Sequence, residues 1–102
     1  MRGIIFGKTY DKTLWWFNKL VEDYKQQYGE DIVTHIKINK NEAEVIFTND
    51  DFWRAFVVDR FSQVRGLACN IAYIDTDFEE NIVREWIKPT IKLKPFTAYR
   101  YY

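Results

Sequence analysis

The spacing of apolar and polar positions changes period several times along this 102-residue chain. Residues 3–7, GIIFG, are a short apolar run closed by glycine and predict a strand. From 11 to 29, Leu14, Phe17, Val21, Tyr24 and Tyr28 recur at helical spacing, widened by Trp16 and Leu20, and Gly29 is a fitting stop. Trp15 stands off that stripe, so it either packs on a second layer or is exposed for a partner. In VTHIKIN and EAEVIFT the apolar residues alternate with polar ones, and the Lys40-Asn41 pair between them suits a hairpin turn. A second turn at 49–51 leads into FWRAFVV, an aromatic strand. Residues 59–67 read as a loop or a single helical turn. The run 69–75 is a nearly continuous apolar strand, the kind buried on both faces. A second helix is predicted over 77–88, with Phe78, Ile82, Trp86 and Ile87 or Val83 inward, and two overlapping capping pairs at its start, Thr76 with Glu79 and Asp77 with Glu80. Pro89 and Pro95 end regular helix and leave an extended tail, with the character of an edge strand.

The order β-α-β-β-β-β-α-tail predicts one α/β domain over residues 1–102, with a mixed sheet of about five strands and two main helices. Strands 3–7 and 69–75 would be parallel central neighbours and the meander would lie at the edge. Composition supports a folded core: 47% of residues are apolar and 19% aromatic, enough to hold a fold without disulfides. The one cysteine, Cys69, lies in an apolar run and reads as a buried small hydrophobe, which fits a reducing, cytoplasmic setting. No signal-type apolar region or run approaching ~20 apolar residues is visible, so no membrane partner is expected.

Fifteen basic and fifteen acidic side chains cancel, which removes any global field that would attract nucleic acid. The balance is uneven, however. Residues 84–102 carry Arg84, Lys88, Lys92, Lys94 and Arg100 against Glu85, among Trp86, Phe96, Tyr99, Tyr101 and Tyr102. The segment 90–102 is therefore a basic, aromatic tail. Lys92, Lys94 and Arg100 with those rings could hold single-stranded nucleic acid by phosphate pairing and stacking. The same residues also suit an edge strand whose rings pack on the sheet and whose lysines deter edge pairing.

The chain begins with a P-loop-like β-α unit. Gly7-Lys8-Thr9 follows the first strand and precedes the first helix, the position of a phosphate loop, where a lysine meets phosphates and a hydroxyl meets Mg²⁺. The spacing is G-x-x-x-G-K-T from Gly3, one residue short of the usual motif, and Ile4-Ile5-Phe6 belong to a strand. A strand turning into a helix capped by Thr9 or Asp11 explains these residues equally. Downstream, NIAYIDTDFEE is an apolar strand ending in Asp75, the layout of a Mg²⁺-holding strand end, with Glu79 and Glu80 as weak candidates for polarising a water. Those acids serve equally as helix-start residues.

Taken together, Phe47-Thr48-Asn49-Asp50, Arg65-Gly66-Leu67-Ala68-Cys69-Asn70 and the strand Ile71 to Asp75 resemble the stretch leading into the acidic strand of phage terminase large subunits and related P-loop ATPases. In that family an F-x-N-G-S turn precedes a strand, and R-G-x-x-x-D precedes the acidic strand end. The following helix and Pro89 also suit the family, and Gly7-Lys8-Thr9 falls where its phosphate loop stands. The resemblance covers roughly residues 3–90 through short motifs. It implies a small phage or prophage protein in the host cytoplasm, with a nucleotide site at Gly7, Lys8, Thr9 and Asp75, anion contacts from Arg65, and Mg²⁺ on Thr9 and Asp75 if a nucleotide binds. The sequence departs from the family in lacking the first loop glycine, in having Asp50 for glycine and Thr76 for the usual glutamate, and in being about half the size of a complete ATPase core. The expectation is therefore phosphate or nucleic-acid binding without efficient hydrolysis.

Two other classes stay open. Surplus aromatics and neutral charge fit an accessory or inhibitory module docking on a phage or host protein, with a homodimer as one form. The tail fits a single-strand nucleic-acid binder. His35 has no second metal-binding partner nearby in sequence, Cys69 has no suggestive histidine, and Arg54 in its strand faces either solvent or a ligand.

Overall fold

The computed structural model describes residues 1–40, 42–58, 68–91 and 96–102. Strands β1 (Arg2–Gly7), β2 (Val33–Ile38), β3 (Glu42–Phe47), β4 (Phe52–Val57), β5 (Ile71–Asp75) and β6 (Thr97–Tyr101) form one mixed sheet in the order β2-β3-β4-β1-β5-β6. β1 runs parallel to both β4 and β5, β5 runs parallel to β6, and β2-β3-β4 is the antiparallel meander. The sheet has six strands where the sequence predicts about five, because the tail pairs with β5 as an edge strand.

The long helix α1 (Tyr10–Tyr28) forms where the periodicity predicts it and stops at Gly29, whose φ of 99° suits a residue without Cβ. α1 packs across β1, β4 and β3. Its Phe17 and Val21 share a core with Ile5, Val45, Phe47, Trp53 and Ala55. The opposite face of the sheet carries a second core, in which Ile4, Phe6, Ala72 and Ile74 meet Val83 and Ile87 of the second helical segment. Helices thus lie on both faces, a three-layer arrangement produced by the alternation of Ile4, Ile5 and Phe6 along one central strand.

The second helical segment differs from expectation. It opens with α2 (Glu80–Ile82), continues as a π-helical turn over Val83–Ile87 and ends in a 3₁₀ turn at Lys88–Thr90. It starts three residues late, because Asp75 draws the chain into a turn: Asp77 N–H donates to Asp75 Oδ1 (2.9 Å) and Phe78 N–H to the Asp75 carbonyl (3.2 Å). The predicted capping pairs do not form. Glu79 holds the N-cap position without a side-chain bond. Trp86 is 49% exposed, not inward, because Val83 and Ile87, four residues apart, take the inner face with Phe78.

β5 is also not covered on both faces along its length. α1 lies toward the β3 side, so Ile71 and Tyr73 on its face stay half-buried. A groove of about 330 Å³ opens there between Trp16, Leu20, Tyr73 and Tyr101. Residues 59–67, the predicted loop, lie outside the described residues.

Candidate functional site

From β1 the chain passes over one face through α1 and returns to β2 on one side of the sheet. From β5 it passes over the other face and returns to β6 on the other side. The carboxyl ends of the adjacent strands β1 and β5 are therefore a topological switch point, where open α/β sheets form ligand crevices. Gly7, Lys8 and Thr9 lie at the end of β1, and Asp75 and Asp77 at the end of β5, where Lys8 contacts both acids.

Gly7 is needed for close approach. A Cβ built there would stand 1.6 Å from Thr13 Oγ1, so α1 starts hard against the strand end. Thr9 holds the N-cap position with extended backbone (φ −125°, ψ 151°), but its side chain makes no capping bond. Its carbonyl instead accepts from Thr13 N–H (3.1 Å) and from Thr13 Oγ1 (2.5 Å). Lys8 is exposed. Its backbone N–H donates to Asp75 Oδ2 (3.3 Å), and its ammonium donates to the Asp77 carbonyl (3.2 Å).

Asp75 is the central group of the cluster. Its side chain is fully buried, and both oxygens are taken: Oδ2 by Lys8 N–H, Oδ1 by Asp77 N–H and by Lys12 Nζ at 2.8 Å. Burial disfavours its charge. The hydrogen bond from Lys12 and those from the Asp77 and Lys8 N–H groups outweigh it, so the carboxyl stays below its ordinary range. For Lys12, burial likewise opposes the charge, but Asp75 and Asp77 raise its pKa overall. The pair is therefore fully ionised at neutral pH. Lys12 also comes within 3.6 Å of Asp77 Oδ2, and its Nζ lies 5.6 Å from the centroid of the Tyr101 ring. Tyr101 is buried and donates its hydroxyl to the Phe6 carbonyl (3.1 Å). Its phenol pKa is pushed up, first by burial and then by the Asp75 charge.

The remaining candidates sit elsewhere. Arg100 donates to the carbonyls of Asp75 (3.0 Å) and Phe78 (2.6 Å) and pairs with Glu80 at 2.7 Å. This arrangement pins β6 to the turn after β5 and commits both Arg100 and Glu80 to the fold. Glu79 starts the second helical segment, exposed. Arg65, Lys92 and Lys94 lie outside the described residues. Lys12 and Thr13 are the members that sequence reading missed, and Tyr101, read as part of the aromatic tail, joins them here. The signal available was the repeated Lys-Thr at 8–9 and 12–13, the second pair falling in the first turn of α1.

Mg²⁺ binds through one or two carboxylates and keeps several waters. Asp75 is buried with both oxygens hydrogen-bonded, so a magnesium ion would have to displace Lys12 to reach it, while Thr9, the other expected ligand, makes no capping bond with its hydroxyl. As arranged, these residues do not fit a magnesium ion. The link between β1 and α1 is only Lys8 and Thr9, and the Lys8 N–H is spent on Asp75 and not turned to an open cradle.

Fold and switch point define a three-layer α/β domain. Among solved structures, the chain is similar to the large terminase ATPase domain of Thermus phage P74-26, with TM-score 0.66 and 18% identity over 97% of this chain and 46% of that one. An arginine-to-alanine variant of the same domain gives 0.65 and 17% over the same shares. At that identity the likeness is one of fold, and the chain spans about half the length of those domains. No known family matches the sequence, and no curated protein does. One detail agrees with the expected turn: Asp50, where the resembled motif has glycine, has φ 70°.

Proposed function

We propose that this is a phage-type domain with the terminase ATPase fold that binds a phosphate, of a nucleotide or of nucleic acid, at the β1/β5 switch point and does not hydrolyse it efficiently. The observation that carries the reading is the convergence of Lys8, Thr9, Lys12 and the start of α1 on the carboxyl ends of two parallel strands. Lys8 is the exposed cation. Its ammonium rests on a single carbonyl and is free to meet a phosphate beside the positive end of the α1 dipole. Weak hydrolysis follows from the acids: Glu80 is tied to Arg100, Glu79 is a helix-start residue, and Asp75 is sealed. Calorimetric titration with ATP, with and without Mg²⁺, tests this. Binding that weakens at least tenfold in Lys8→Ala is expected, whereas absent binding, or binding indifferent to Lys8→Ala, overturns it.

A second reading is favoured by the apolar groove and by the exposed rings of Trp15 (58%) and Tyr99 (50%) around it. It makes the domain a docking module for a phage or host protein, or for a second copy. Sedimentation of wild type and Trp15→Ala, alone and with a candidate partner, tests it. The tail has less to offer single-stranded nucleic acid than its composition implies, since Arg100 and Tyr101 are both committed to the fold.

A further inference from the structure

We infer that the Lys12 ammonium stands where a divalent cation would sit at Asp75, so that this chain carries its own tethered cation and excludes metal from the site. This placement is set by geometry and is independent of phosphate binding. Nζ of Lys12 is 2.8 Å from Asp75 Oδ1, the expected metal-holding carboxylate, and 3.6 Å from Asp77 Oδ2, and the Tyr101 ring closes a further side. The ammonium reaches this place because α1 begins only two residues after β1 and is held by the Thr13 contact to Thr9. A metal would have to displace an ammonium fixed on the helix and then reopen a carboxylate that is fully buried. Side-by-side occupation would place three positive charges within a few ångströms. It follows that any phosphate bound at the neighbouring Lys8 is bound without a bridging metal.

The test uses Mn²⁺ alone, followed by its electron paramagnetic resonance signal, on the whole chain. Wild type and Asp75→Asn are expected to bind Mn²⁺ identically at millimolar concentration, with any weak binding belonging to other carboxylates. Lys12→Gln is expected to gain a site at least tenfold tighter, lost again in the Lys12→Gln/Asp75→Asn double variant. Mn²⁺ binding by wild type that Asp75→Asn abolishes overturns the inference, as does a folded Lys12→Gln protein that gains nothing. Should the variants not fold, the Lys12 ε-methylene resonance of wild type decides. No shift with millimolar Mg²⁺ supports the tethered cation, and a saturable shift overturns it. Failure of ATP binding would remove the functional proposal and leave this one standing.

Discussion

The sheet centre and the β2–β3 hairpin use the same kind of charge pair in opposite ways. At the centre, Lys12 meets Asp75 at 2.8 Å, with the carboxylate sealed from water and bonded three times. At the meander, Arg54 and Glu42 stand 3.8 Å apart, both solvent-accessible. Exposed pairs of this kind contribute little, because water and salt screen them. A buried pair is costly to break, because it leaves a charge stranded. The difference follows from position in the sheet. β5 lies between two strands and under a helical segment, whereas β2 is an edge strand with most of its side chains exposed. Charge at the centre is therefore part of the packed structure, while charge at the meander is solvated.

The sharpest way to break this contrast is Lys12→Met. It strands Asp75, and the expected loss is about 3 kcal/mol, since Lys12 itself keeps some solvent contact. Thermal unfolding should fall by roughly 10–20 °C. A change under ~1 kcal/mol would place the centre in the same class as the hairpin. Gly7→Ala comes next. Its Cβ would collide with Thr13, and a loss of about 1–3 kcal/mol is expected by denaturant titration. Thr13→Ala in the same chain should recover part of it, which a double-mutant cycle would detect.

Acid titration sharpens the comparison further. Asp75 has a lowered pKa, so its contribution is present above the ordinary value of 3.8 and is lost as pH falls through the lowered one. The stability gap between wild type and Lys12→Met should therefore be open at neutral pH and close as acid protonates Asp75. A gap indifferent to acid would mean that the pair's charge is not what Lys12→Met removes. The smallest effect belongs to the hairpin: Glu42→Gln should change stability by no more than about 0.5 kcal/mol in urea.

The strand and helix order was legible because β1, α1 and the meander each have a clean period. The parallel pairing of β1 with β5 followed from two apolar runs separated by a meander. The start of the second helical segment was not legible. Asp75 spends its side chain on the Asp77 N–H, and that choice depends on the buried carboxylate finding Lys12, which is 63 residues away in sequence. Lys12 was missed for the same reason. A lysine in the first turn of a helix looks like any surface lysine until the sheet places a buried acid opposite it. Tyr101 and Arg100 read equally as a nucleic-acid surface, and only the pairing of β6 with β5 turns one into the core and the other onto carbonyls.

The proposed phosphate site lies at the carboxyl ends of β1 and β5. The most direct measurement is amide chemical-shift mapping of the folded chain titrated with pyrophosphate in the absence of metal. The account predicts saturable shifts centred on Lys8, Thr9 and Tyr10, with smaller ones at Asp75 and Asp77, and little change in the β2–β3 hairpin. Shifts centred on the hairpin or on the groove beside Tyr73, or no saturable shifts, would contradict it.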